Sequence, residues 1–286
     1  MKIGIIGNGF VGSSVAFGFS PQTGCDGVEV KIYDKDERKS LNTFEDVINE
    51  SEFIFVSVPT PSNEDGSINT DIVEDVFDRM NRHNYSKDNI FLLRSTITPG
   101  TTRRIQENCR RLRIVFNPEY LTERSAKFDF INQARFILGG PDKDSRFLDR
   151  VEELYKWRFG YSIPVIKTNY ETAEFVKYMN NCFNATKISF MNEMKQISDV
   201  SGVVWEDAVE SFLRDGRVGH SHISVPGPDG KLGFGGSCFP KDIQAMINFA
   251  ETMGIEPSVL IGVWSKNLDV RPEKDWKKLK GRAVVE

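Results

Sequence analysis

Short apolar runs separated by polar, helix-length stretches repeat along the first 168 residues of the chain. Lys2–Ile6, Val28–Tyr33, Phe53–Val58, Ile90–Arg94, Arg113–Phe116 and Ala134–Leu138 carry the pattern of strands buried on both faces. Segments of helical character lie near Ser13–Phe19 and over Asp71–Asn81 and Thr101–Arg110. Strand and helix in alternation predict a parallel, doubly wound sheet with right-handed crossovers. Ile163–Lys167 reads as its last strand, at an edge, where the N–H that Pro164 lacks is least needed. Tyr170 to about Val200 holds neither Pro nor Gly and predicts one long helix. Shorter helices follow over Trp205–Leu213, Pro240–Met253 and Ser258–Leu268, and Arg282–Glu286 reads as the start of another strand. The expected fold class is α/β: a doubly wound sheet over residues 1–168, then a long central helix and a smaller all-helical domain over 169–286.

The first strand runs straight into Gly7-Asn8-Gly9-Phe10-Val11-Gly12 and then into a helix. Strand, GxGxxG and helix in that order form the dinucleotide fingerprint of a Rossmann-like unit. The glycines permit a tight turn and a close approach of backbone to pyrophosphate, and the helix N-terminus supplies N–H groups to it. The second strand ends at Asp34, an acid placed to bind both ribose hydroxyls and repel a 2′-phosphate. NAD is therefore the expected cofactor rather than NADP. Thr60, Ser95, Thr96 and Glu119 fall at or just beyond strand C-termini, the edge where such sheets bind ligands, although each alone also reads as turn chemistry.

The second chemical feature is Gly233-Phe234-Gly235-Gly236-Ser237-Cys238-Phe239-Pro240-Lys241-Asp242. Pro240 suits the first turn of a helix, so Cys238 should stand just before a helix N-terminus, where partial positive charge and Lys241 favour a thiolate. The thiol is then either a nucleophile or a small buried side chain on a glycine-rich turn. Lys177 and Asn181, four apart, share a helix face, as a hydrogen-bonding pair or as a solvated polar stripe. His220 and His222 lack partners at metal-ligand spacing and read as a polar loop.

Composition narrows the classes. The chain has 286 residues, 39% hydrophobic and 27% charged, with a net charge of −4, so no basic field invites nucleic acid or an anionic membrane. Cys25, Cys109, Cys182 and Cys238 are widely spaced and form no CxxC pair, which points to a reducing cytoplasm and no structural zinc. No stretch is apolar enough to span a bilayer, and a chain opening on a strand leaves no room for a leader. The long helix is also a candidate homodimer seam.

Taken together, Gly7–Gly12, Val58-Pro59-Thr60-Pro61, Ser95-Thr96, Asn117-Pro118-Glu119-Tyr120-Leu121-Thr122-Glu123, Lys177 to Asn181 and Gly233–Asp242 resemble the UDP-glucose/GDP-mannose dehydrogenase family. The segments occur in the family's order and cover most of the chain. The resemblance implies an NAD-dependent oxidation of a nucleotide sugar, UDP-glucose foremost, from the C6 alcohol to the uronic acid. It implies Cys238 as nucleophile, Lys177 and Asn181 as oxyanion donors, Asp242 and Thr96 as holders of a water, and Glu119, supported by Glu123, as acid/base. It implies Pro59, Thr60, Ser95, Thr96 and Lys241 on the cofactor side. Tyr120, Leu121, Glu123, Arg217, Phe234 and Gly235 would lie on the substrate side. The chain departs from the family between Asp34 and Phe53, where it is short, and at Arg94, an unexpected residue before Ser95. It also stops where the family's C-terminal nucleotide-binding domain would begin. Two other functions fit the same residues: a single-step β-hydroxyacid-type dehydrogenase, and an NAD-binding protein without catalysis.

Overall fold

A computed structural model describes residues 1–83 and 88–285. The chain clusters into two compact units, Met1–Thr60 with Thr70–Lys177 and Pro61–Asn69 with Tyr178–Glu286. The division therefore lies inside the long helix rather than ahead of it, and a short excursion, 61–69, belongs with the second unit.

The first unit is an α/β sandwich. In chain order it runs β1 (Lys2–Ile6), α1 (Phe10–Gly18), β2 (Glu29–Tyr33), α2 (Phe44–Glu50), β3 (Phe53–Val56), α3 (Asp71–His83), β4 (Ile90–Leu93), α4 (Thr101–Asn108), β5 (Ile114–Phe116), α5 (Ala126–Ile131), β6 (Phe136–Gly140), α6 (Arg146–Phe159) and β7 (Val165–Asn169). The sheet order is β2-β1-β3-β4-β5-β6-β7. Strand order reverses beside β1, which makes β1 and β3 the topological switch point, where open α/β sheets bind ligands. The sheet is not wholly parallel, as the alternation predicted: β5 and β6 pair antiparallel, at Phe116 and Gly139. The connection between those two strands, residues 117–135, carries only the short α5. β7 then pairs parallel to β6 at the edge, just after Pro164.

Alternate residues of each strand serve opposite faces of the sheet, as the pleat requires. Ile54, Val56, Phe91, Leu93, Ile114 and Phe116 pack with Phe44, Val47 and Ile48 of α2, with Val73, Phe77 and Met80 of α3, and with Ile105 of α4. Ile3, Ile5, Phe53, Phe55, Ile90, Leu92 and Val115 pack with Val15 of α1, Phe130 of α5 and Leu148, Val151, Leu154 and Tyr155 of α6. Helices α2, α5 and α6 were not expected from the sequence. α2 is held at its start by a capping box in which Thr43 and Asp46 exchange side-chain-to-backbone hydrogen bonds.

The long helix α7 runs from Tyr170 to Val200, as the uninterrupted pattern predicted. The second unit takes it from Tyr178 and adds α8 (Trp205–Leu213), α9 (Phe239–Thr252) and α10 (Ser258–Val270). Its core gathers Tyr178, Cys182, Ala185, Phe234, Ile243, Met246, Val263 and Ile68. Ile68 belongs to the 61–69 excursion, where Ser62 bridges to Ile68 and, in parallel, to Val284. The strand expected over 282–286 is instead a turn with two isolated bridges at Val284, and Glu286 lies outside the described residues. No helix among the described residues is long and apolar enough to cross a membrane.

Candidate functional site

In the first unit, Gly7 sits at φ 90°, in the left-handed region that glycine enters without steric cost. A Cβ there would lie 2.4 Å from the Ser57 carbonyl oxygen, and one on Gly12 would lie 1.9 Å from that of Gly7. Gly9 has open space on the same test. The first glycine therefore makes the turn, the third lets α1 lie against it, and the second leaves room for a ligand to reach the backbone. Phe10 and Val11 open α1, whose N-cap Gly9 has no capping side chain and whose first turn holds no acid. A helix start with no side-chain cap and no acid in its first turn is what an anion site needs. Asp34, at the end of β2, accepts the Asn8 N–H at 2.6 Å and the Asp36 N–H at 2.9 Å, so its carboxylate is aimed at the glycine turn. Open backbone at Gly9, an uncapped helix and an aimed acid together fit a dinucleotide.

The same edge of the sheet carries the loops after β3, β4 and β5. Ser95 accepts the Val58 N–H at 3.1 Å and donates its hydroxyl to the Val58 carbonyl at 2.7 Å. Thr60 donates to the Thr96 carbonyl at 2.8 Å, and Pro59 between them is exposed. These bonds splice the two loops side by side. After β5, the Glu119 carboxylate accepts from Lys177 Nζ at 2.8 Å, and the same ammonium donates to the Glu119 carbonyl at 2.6 Å. Both side chains are buried, at 5% and 3% exposure. Burial pushes the Glu119 pKa up, but Lys177, the Leu121 N–H and the charge of Arg94 outweigh it, and the net direction is down. Tyr120 packs its ring within 5.4 Å of Lys177 Nζ, with Arg135 over it at 4.7 Å. Leu121 is buried and Glu123 is exposed.

Arg94, out of place in the sequence, directly follows β4 and is almost fully buried. Its Nη1 donates to Asn117 Oδ1, which also accepts the Tyr155 hydroxyl, while Asn117 Nδ2 donates to the Ile137 carbonyl at 3.0 Å. Arg94 thereby ties the turn before Glu119 to β6 and α6. Its Nε and Nη2 have no hydrogen-bond partner among the described residues. A cation closing an otherwise apolar strand was the sequence signal. Tyr155 gave none, because α6 was not foreseen.

In the second unit, Cys238 is the N-cap residue of α9, and its carbonyl accepts the Asp242 N–H at 2.8 Å. It is half-buried, whereas Cys25, Cys109 and Cys182 are buried. Burial pushes the Cys109 thiol up to about 11 and raises Cys182 further. Asp242 is 1% exposed and accepts from Asn181 Nδ2 at 2.6 Å and from Lys241 Nζ at 2.6 Å. The expected Lys177–Asn181 face thus resolves into two buried sets, Lys177 with Glu119 and Asn181 with Asp242. Lys241 turns its ammonium to the neighbouring carboxylate. Arg217 is exposed and pairs with Asp215 two residues earlier. Phe234 is buried, and Gly235 lies against the Arg271 guanidinium. His222, at φ 63°, sets its ring edge-on to Phe239.

The chain as a whole is similar to known proteins. UDP-glucose 6-dehydrogenase of Haloferax volcanii is 33% identical over 96% of this chain and 71% of its own length. The structure of a UDP-glucose dehydrogenase from Pyrobaculum islandicum superposes with a TM-score of 0.81 at 28% identity, over 93% of this chain and 67% of that one. A 3-hydroxyisobutyrate dehydrogenase of Mycobacterium tuberculosis shares the fold alone, with a TM-score of 0.73 at 14% identity over 96% and 94% of the two chains. Residues 38–158 match the NAD binding domain, and residues 171–268 the central domain, of one family of NAD-dependent nucleotide-sugar dehydrogenases. The chain belongs to the UDP-glucose/GDP-mannose dehydrogenase family.

Proposed function

We propose that the chain oxidises the C6 alcohol of a nucleotide sugar, UDP-glucose foremost, to the carboxylate through a thioester on Cys238. The observation that carries this is the half-buried thiol at the N-terminus of α9, with the Asp242 carboxylate one turn on, held by Asn181 and Lys241. Gly7, Gly9, Phe10, Val11, Gly12 and Asp34 would hold the dinucleotide, with Pro59, Thr60, Ser95 and Thr96 lining its nicotinamide side. NAD, when bound, would supply the oxidising power, as the hydride acceptor for each of the two oxidations at C6. One alcohol, two NAD⁺ and one water so become one carboxylate, two NADH and three protons.

Each group has a part that its chemistry allows. Glu119, held as a carboxylate beside Lys177, takes the hydroxyl proton as the alcohol becomes an aldehyde. The Cys238 sulfur adds to the aldehyde carbon, forming the C–S bond, and the carbonyl oxygen becomes an anion. Lys177 donates to that oxygen, with Asn181 as second donor. After the second hydride leaves, Asp242 and Thr96 hold the water that attacks the thioester, and the C–S bond breaks to return the thiolate. Tyr120, Leu121, Glu123, Phe234, Gly235 and Arg217 would line the sugar nucleotide. A thiolate nucleophile suits a reducing cytoplasm.

Counting NADH per sugar consumed tests the reading. Two per sugar is expected, and one would assign the chain to single-step alcohol oxidation. Cys238→Ser should stop uronate release while leaving NAD binding intact; full turnover in that variant would remove the thioester.

We also propose a homodimer through α7. Met179, Phe183, Phe190, Met194 and Ile197 recur at spacings of three, four and seven and are exposed, an apolar stripe of the kind that subunit contacts cover.

A further inference from the structure

The glycines before Cys238 are spent on the protein itself. Gly233 sits at φ 64°, and a Cβ on it would lie 2.4 Å from Asn267 Oδ1. A Cβ on Gly235 would lie 2.4 Å from Nη2 of Arg271. Asn267 and Arg271 stand four apart on the last turn of α10 and its C-cap, and both face this loop. The Asn267 amide bonds both backbone groups of one residue, in the two peptide units that flank Phe234: it accepts the Phe234 N–H at 2.7 Å and donates to the Phe234 carbonyl at 3.0 Å. Asn192 of α7 accepts the Gly233 N–H at 3.1 Å. Arg271 donates to the Leu232 carbonyl at 3.2 Å, to Asp229 at 2.7 Å and, in a fork, to Asp275 at 2.7 and 3.0 Å. All three side chains are buried, which strengthens the bonds of Asn192 and Asn267 to the backbone, while the Asp229 and Asp275 carboxylates that Arg271 holds stay partly exposed. Beyond the clamp, the Phe234 ring lies edge-on to Phe239 at 6.1 Å, and Phe239 follows the reacting cysteine directly.

We propose that Asn267 and Arg271 are positioning residues: α10 fixes the 229–236 loop by its backbone and so holds Cys238 at the N-terminus of α9. Helix α10 carries none of the reacting groups. Its part is to make the glycine loop rigid where glycine alone would leave it free. Gly236, at φ 70°, has open space around it and meets no side chain of α10. The inference rests on Cys238 being the reacting thiol, but its test reads the sulfur directly and does not depend on which sugar is oxidised.

The experiment is the rate of iodoacetamide alkylation of Cys238, followed by peptide mass spectrometry, with the three buried thiols as internal reference. It is paired with thermal melting and NAD titration on the whole chain. In Asn267→Ala the Cys238 rate is expected to fall by about threefold or more, because the sulfur leaves the helix N-terminus that favours its reactive form. In the same variant kcat is expected to fall by about tenfold or more while NAD affinity holds, the signature of a reacting atom out of place. Asn267→Asp keeps the acceptor for the Phe234 N–H and loses the donor, so it should recover part of both losses. A Cys238 rate that is unchanged or raised, with only the melting temperature lowered, would make Asn267 a packing residue and overturn the proposal. Should Asn267→Ala fail to fold, Asn267→Asp and Arg271→Lys decide by the same two readings.

Discussion

At the residue scale, burial and charge pull against each other in the Glu119–Lys177 pair. Taking two charges out of water is expensive, and the pair recovers that only through its 2.6 and 2.8 Å bonds and the Leu121 N–H. Removing one partner leaves the other charge buried, so Glu119→Gln should cost about 3–5 kcal/mol at pH 7, read by urea unfolding. The pH dependence has a definite sign. A carboxyl whose folded pKa lies below its ordinary 4.5 contributes stability that is full above that value and is lost as pH falls through the folded one. The gap between wild type and Glu119→Gln should therefore be constant from pH 8 to pH 5 and close on further acidification. A gap that instead widened below pH 4.5 would mean that Glu119 is protonated in the folded protein. Nothing in the sequence announced this pairing, since Glu119 and Lys177 lie far apart in the chain. The sequence offered Lys177 with Asn181, its neighbour on the helix, and the fold gave each a different carboxylate.

At the scale of elements, helix ends carry much of the chemistry. α1 begins without a side-chain cap, as suits an anion site, whereas the start of α4 is bonded by a residue of another helix. Glu174 of α7 accepts the Gly100 N–H at 2.6 Å, the Thr102 N–H at 2.7 Å and the Thr102 hydroxyl at 2.6 Å. Its burial raises its pKa to about 7 against the pull of those three donors. Glu174→Ala strands buried donors at the start of α4 and should lower stability by about 1–3 kcal/mol, measured by thermal unfolding; a loss under a few tenths would mean that water replaces the carboxylate. β1, α1, β4, α7 and α9 were legible because each follows one clear period or one clear punctuation mark. The short α5 was not; β6 was legible as a strand but its antiparallel direction was not, since a strand's direction is set by how the chain returns to the sheet and not by its own apolar pattern. α6 was legible in principle: Leu148, Val151, Leu154 and Tyr155 are buried at helical spacing.

At the scale of the whole molecule, the α7 stripe should decide assembly. A charge at its centre, as in Phe183→Asp or Phe190→Asp, should convert a dimer into a monomer in sedimentation while leaving the first unit's NAD affinity unchanged; a dimer that persists would move the seam elsewhere. By itself the sequence determined the glycine turn with its acid, the long helix and the cysteine at a helix start. Each of these is local, because a turn that needs glycine or a helix that needs no break is specified by neighbours in the chain. Tertiary structure alone decided which carboxylate Lys177 and Asn181 each bind, why Arg94 closes β4, and that Gly233 and Gly235 admit the side chains of α10. Those are choices between residues brought together from distant parts of the chain, where burial makes an unpartnered polar group costly and packing selects the partner that can reach it.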